Sequence, residues 1–234
     1  IALFLIGSTL FSQKSITPNV LKDLQESYQN NGTEKAIRNA VNGTSLKQLT
    51  LNRDTKNATD TWFSHKVNSS GITDQLQSGR CWLFTGTNVI RAKVMAQTGM
   101  KNFQFSQVYT FFYDQLEKSN LFLQGIIDTR KKPMDDKMVE WLFRNPLSDG
   151  GQFTGVSDLI EKYGLVPQDV MPETYCSNNT NEFASLLKRK LREDAIILRE
   201  ASENGASDKE LEAQKTEMLK TVYRISVMYL VTVV

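Results

Sequence analysis

The stretch from Gly71 to Arg91 is where residue types and spacing could combine into a reaction. Cys81 follows a Ser78-Gly79 turn and opens an apolar, helix-periodic run. The free N–H groups and the dipole at a helix start favour negative charge. A thiol placed there loses its proton more easily, and the thiolate is the nucleophilic form. Arg80 adds a positive charge in sequence. Gln75, six residues before Cys81, sits on a loop that could fold back over the thiol. Its side-chain amide and the Cys81 backbone N–H would be two donors for the oxyanion of a tetrahedral intermediate. A lone cysteine usually serves as a small buried hydrophobe. The Gln-to-Cys spacing, the glycine turn, Trp82 and the helix that follows outweigh that reading here.

Few other residues compete for a chemical role. A nucleophilic cysteine needs an imidazole to take its proton and return it to the leaving amine. His65 is the only histidine, so a His-rich metal site is excluded. Cys176 lies in a polar loop, Thr174-Tyr175-Cys176-Ser177, and reads as an accidental free thiol. Two cysteines cannot build a disulfide framework, and pairing Cys176 with Cys81 would consume the nucleophile. The 234 residues carry a net charge of +2 with 40% hydrophobic content. That charge gives no strong attraction to nucleic acid or anionic membrane.

The elements that must position these residues are mainly helical. Thr17 and Pro18 start a helix whose apolar residues are Val20, Leu21, Leu24 and Tyr28, and Asn31-Gly32 ends it. A short helix over 34–41 follows. Residues 42–61 read as surface loop and 62–80 as irregular. A buried helix runs from Cys81 to a Gly99 cap. Further helices are expected over 105–116, 138–143 and 156–163, the last capped by Gly164. Asp149-Gly150-Gly151 reads as an ordinary loop. Residues 181–225 read as a helical hairpin broken at Asn204-Gly205, with a Ser207–Glu210 capping box. The apolar tail 223–234 reads as a strand edge that a further part of the protein would cover.

The chain opens on Ile1 rather than Met, and residues 1–11 are almost purely apolar before Ser12 and Gln13. Residues 1–13 read as a signal-peptide-like segment, with a buried strand or helix as the alternative. Export to the periplasm or exterior is the expectation, with a cytoplasmic location as the alternative.

Residues Gln75–Trp82 resemble the active-site signature of papain-like cysteine peptidases. The Ser78-Gly79-Arg80-Cys81-Trp82 form resembles the bleomycin hydrolase/aminopeptidase C branch. The likeness extends over roughly 17–222, through Phe63–Val67, Phe105–Gln107, Phe111–Lys118, Asp149–Gln152, Lys162–Pro167 and Met171–Thr174. Two departures stand out: Phe153-Thr154 where the family usually has Trp and Asp, and Thr85-Gly86 in the helix after Cys81.

The resemblance implies an α+β papain-like fold, with residues 14–234 a partial peptidase domain. Its helical half would be mostly present and its β-rich half mostly missing. It implies Cys81 as nucleophile, Gln75 as oxyanion donor and Gly150 and Gly151 as lining of the substrate cleft. Trp82 would pack behind the thiol. The family's histidine and asparagine come far downstream of the cysteine, so His65 reads as structural and the chain lacks both groups. The implied activity is peptide hydrolysis, as an aminopeptidase, through a Cys81 acyl-enzyme. No cofactor or metal is implied. Peptide is the expected partner, with no nucleic acid, no membrane after signal removal, and a homohexamer for the full-length form. The alternatives are an inactive fragment serving as a binding or assembly module, and a redox thiol protein using Cys81 and Cys176.

Overall fold

The computed structural model describes residues 15–28, 31–69 and 71–232. The signal-like segment 1–13 and the last two valines lie outside them. The chain divides into two compact units, Ile1–Ser64 and His65–Val234.

In the first unit, α1 (Pro18–Ser27) starts on Thr17, whose hydroxyl accepts from the Val20 N–H at 3.3 Å. The helix ends at Ser27, not at Asn31-Gly32. Asn31 instead caps the next helix, α2 (Gly32–Gly43), accepting from the Glu34 N–H at 2.9 Å. An Asx side chain satisfies a helix start as readily as it marks a stop, so the local signal is ambiguous. Two short helices, α3 (Leu46–Leu49) and α4 (Arg53–Ala58), occupy the stretch read as loop. No described residue of 15–64 is buried.

The second unit holds the core. Here α5 (Cys81–Thr98) ends at Gly99 with φ +73°, a left-handed conformation that glycine adopts without strain. The next helix, α6 (Gln107–Asp128), runs a full 22 residues, well past the expected end at 116. It packs against α5, α7 (Lys137–Arg144), α8 (Phe153–Tyr163), α10 (Asn181–Glu203) and α11 (Asp208–Leu230). That central position explains its length: Phe122, Leu123, Ile126 and Ile127 are buried by neighbours remote in sequence. Cys176 lies in a short helix, α9 (Tyr175–Asn178), closed by a Thr174–Ser177 capping box.

The tail is helical rather than strand-like. Buried Val222, Ser226 and Leu230 recur every four residues along α11, which places them on one helical face. Phe183 of α10 packs against Tyr229, with ring centroids 5.8 Å apart. β-branched apolar residues take helical geometry when one face is buried, because packing outweighs a propensity difference of a few tenths of a kcal/mol. Strand pairing among the described residues is limited to two isolated bridges, Gln77 with Asn179 and Phe105 with Pro167.

Candidate active site

Cys81 is the first residue of α5, and it is exposed and unpaired. Its helix is anchored directly behind it: Trp82, Leu83 and Phe84 are all buried. The thiol therefore stands at the rim of the core on a helix that cannot easily tilt.

Arg80 does not offer its charge to the thiol. Its side chain is fully buried and donates from Nη1 to both Glu173 carboxylate oxygens, at 3.0 and 2.8 Å. Nε donates to Ser78 Oγ at 2.9 Å, and the guanidinium lies over the Phe84 and Phe111 rings. Burial pulls the Arg80 pKa down from its usual value, while Glu173 opposes that shift. The Ser177 hydroxyl donates to Glu173 Oε2 at 2.5 Å. Arg80 is thus a strut between the turn before Cys81 and the segment before α9.

The loop at 149–151 is built against the same turn. One Asp149 carboxylate oxygen accepts from the Gly79 N–H at 3.0 Å and from the Thr180 hydroxyl at 3.2 Å. The Asp149 carbonyl accepts from the Trp82 indole N–H at 2.8 Å. Two glycines are required by these approaches. A Cβ on Gly79 would meet the Asp149 carboxylate at 2.2 Å, and one on Gly151 would meet the Trp82 ring at 2.6 Å. Gly150 has no such neighbour; the nearest atom to its Cβ position is Ser148 Oγ at 3.5 Å. Both Gly150 and Gly151 are exposed, so their backbone faces solvent.

Lys118 holds this loop from α6. Its ammonium donates to the Ser148 carbonyl at 2.9 Å, the Gly150 carbonyl at 2.7 Å and Asp114 Oδ2 at 2.8 Å. It also sits 5.1 Å from the Trp82 ring centroid. Burial raises the Asp114 pKa, and Lys118 works against that rise. Sequence reasoning placed neither Asp149 nor Lys118 in the site. The four-residue step from Asp114 to Lys118 was a visible signal for an ion pair on one helical face.

Gln75 is half-buried, and its carbonyl accepts from the Ser78 hydroxyl at 2.7 Å. The next residue, Leu76, has φ +53°, unusual for a bulky side chain. Three contacts fix this loop: Asn88 Nδ2 donates to Thr73 Oγ1 at 2.6 Å, the Gln77 N–H to the Asn178 carbonyl at 3.0 Å, and Asn179 Nδ2 to Gln77 Oε1 at 3.0 Å.

His65 is exposed. Val67 and Asn68 line a cavity with Ala92, Met95, Ala96 and Gly99. Arg91 reaches the Ser69 carbonyl at 2.6 Å. The stretch after His65 therefore runs beside the C-terminal half of α5. Ala92 is eleven positions beyond Cys81, which is about 16 Å of helical rise. At the second departure, Gly86 is explained by packing: a Cβ there would meet Val156 of α8 at 2.8 Å.

Among the described residues no group of His, Cys, Asp and Glu could hold a metal. No helix among them is long and apolar enough to cross a membrane.

An exposed thiol at a helix start stands here beside a fixed glycine loop on a helical unit, and known proteins are similar to this chain over most of its length. Residues 15–232 match the Peptidase C1-like family, and the chain belongs to that family. It is 37% identical over 218 residues to aminopeptidase C of Listeria monocytogenes, covering 93% of this chain and 49% of that protein. It is 37% identical over 184 residues to human bleomycin hydrolase, covering 77% of this chain and 40% of that protein. The crystal structure of PepW from Lactobacillus rhamnosis HN001 superposes with a TM-score of 0.83 at 40% identity, over 93% of this chain and 49% of that one. The described residues thus form a helical piece of a PepW-like fold. The chain spans about half the length of these proteins.

Proposed function

We propose that this chain supplies the nucleophile side of a cysteine aminopeptidase. The observation that carries the reading is the exposed Cys81 thiol at the first residue of α5, in a chain whose relatives include aminopeptidase C. Cys81 attacks the carbonyl carbon of a peptide bond as a thiolate. The Gln75 amide and the Cys81 backbone N–H receive the oxyanion. Collapse of the tetrahedral intermediate releases the amine, which takes the proton held by an imidazolium. Water then hydrolyses the thioester, returning the acid product and the thiol. Gly150 and Gly151 offer bare, exposed backbone along which an extended peptide can lie.

In this reading the imidazole is not His65; Val67 and Asn68, just after it in the chain, line a cavity with the C-terminal half of α5. The base and its orienting asparagine are proposed to come from outside these 234 residues, in a β-rich half. The relatives' roughly doubled length supports this. Assembly as a homohexamer and export through the apolar start belong to the same proposal. They rest on the resemblance and on residues 1–11. Light scattering of the complete protein and sequencing of its mature N-terminus test them.

The decisive experiment is hydrolysis of aminoacyl and N-blocked peptide substrates by the complete protein. The unblocked substrate is turned over, Cys81→Ala abolishes turnover without unfolding, and His65→Ala leaves it intact. Turnover by Cys81→Ala would falsify the nucleophile assignment. Loss of turnover in His65→Ala would return that histidine to the site. If the wild-type complete protein hydrolyses neither substrate, the alternative of a binding or assembly module takes the place of the enzyme.

A further inference from the structure

A residue before Cys81 in the chain and a residue after it are both held by one other residue, Asp149. Its carboxylate takes the N–H of Gly79, two positions before the thiol, at 3.0 Å. Its carbonyl takes the indole N–H of Trp82, one position after the thiol, at 2.8 Å. The fit is close, since Gly79 has no room for a Cβ against that carboxylate. Asp149 is itself fixed on three sides. Thr180, buried, donates to its carboxylate at 3.2 Å. Lys118 grips the carbonyls of Ser148 and Gly150, the residues on either side of it. Gln115 Nε2 adds a bond to the Ser148 carbonyl at 3.3 Å.

We infer that Asp149 is a positioning residue for Cys81. It grips the backbone turn before the thiol and the side chain after it, and Lys118 locks it in place. This deepens the peptidase reading above and rests on it. The physical reason is geometric. A nucleophile must be held in a near-attack geometry, and misplacement of about 1 Å costs on the order of 10²-fold in rate. The thiol is exposed, so burial of its own side chain does little to fix it. Its place is set by the backbone of 79–82, and Asp149 ties both ends of that segment to one rigid loop. The chemistry required of the side chain is hydrogen-bond acceptance rather than charge, because both donors to the carboxylate, the Gly79 N–H and the Thr180 hydroxyl, are neutral. An amide oxygen at 149 can accept the same Gly79 and Thr180 bonds.

The test compares Asp149→Ala, Asp149→Asn and Trp82→Phe in the complete protein, with two readouts. One is kcat and KM on an aminoacyl substrate. The other is the rate of Cys81 alkylation by iodoacetamide at neutral pH, read by peptide mass mapping so that Cys176 is counted separately. Expected are a fall in kcat of at least tenfold with little change in KM for Asp149→Ala, and a several-fold fall for Trp82→Phe. Asp149→Asn restores kcat to at least a third of wild type. Alkylation follows the same order. A folded Asp149→Ala protein with wild-type kcat and alkylation overturns the inference. So does an Asp149→Asn protein as impaired as the alanine variant. If Asp149→Ala does not fold, Trp82→Phe decides: unchanged Cys81 alkylation there overturns the inference. Alkylation needs no peptide hydrolysis, so it still reports on positioning if Cys81→Ala proves the peptidase reading wrong.

Discussion

The two sides of Cys81 are held by different means. Behind it lies a platform of α5, α6 and α8 with buried Trp82, Leu83, Phe111 and Val156, stiffened by the Arg80–Glu173 pair and the Lys118 clamp. Leading into it are residues 71–77, non-helical, mostly exposed, and tied by hydrogen bonds to Asn88, Arg91, Asn178 and Asn179. The proposed nucleophile stands on the first and the proposed oxyanion donor, Gln75, on the second. Local opening costs least where apolar burial is small. The thiol is therefore placed by the core, whereas the donor is placed by a few polar contacts that can break without unfolding the unit.

Four substitutions break or sharpen this contrast. The largest effect is expected for Arg80→Ala, which leaves the Glu173 carboxylate without its partner beside the core. Breaking such a pair costs about 3–5 kcal/mol, seen as a lower urea midpoint, and an unchanged midpoint would show that the strut carries nothing. Next comes Gln75→Ala, on the loosely held side. It should lower kcat by about 10²–10³ and leave thermal unfolding where it was. A large stability loss there would erase the distinction between the two sides. Gly151→Ala acts on the platform, driving a Cβ into the Trp82 ring. Overpacking of this kind costs about 1–3 kcal/mol, and unperturbed unfolding together with full activity would contradict the tight approach. The smallest effect is expected for Asn88→Ala, which frees Thr73. It removes about 1 kcal/mol of hydrogen bonding, seen as faster hydrogen exchange confined to 71–77. Exchange that also quickens in α5 would mean the loop and the platform open together.

Much of the helical architecture was legible in the sequence because helix ends are set by local signals. The Ser207–Glu210 capping box, the Gly99 and Gly164 caps and the Thr17–Pro18 start all appear as spaced. Each depends on side chains three or four residues apart, so local spacing carries them. The errors fell where a local signal has two meanings. Asn31 can stop one helix or start another, and its oxygen took the start. The tail after Tyr223 has the composition of a strand, but α10 and α9 offer it a face to pack on, and it continues as helix. The loop at 42–61 conceals two helices of four and six residues, too short for periodicity to register.

The candidate site divides in the same way. Cys81 at a helix start, the six-residue step back to Gln75 and the glycines at 150–151 are properties of the sequence, because helix initiation and turn formation are local. Arg80 was legible as a charge but not as a buried one. Its partner, Glu173, is 93 residues away, and only the tertiary structure closes that distance. The same holds for Asp149, which reaches Gly79 across 70 residues, and for Lys118, which reaches the Gly150 carbonyl across 32. The chain itself determined which residue can react and which helix presents it. Packing of remote segments decided how that residue is held, because a buried charge or carbonyl is satisfied by whatever donor or acceptor the fold brings beside it.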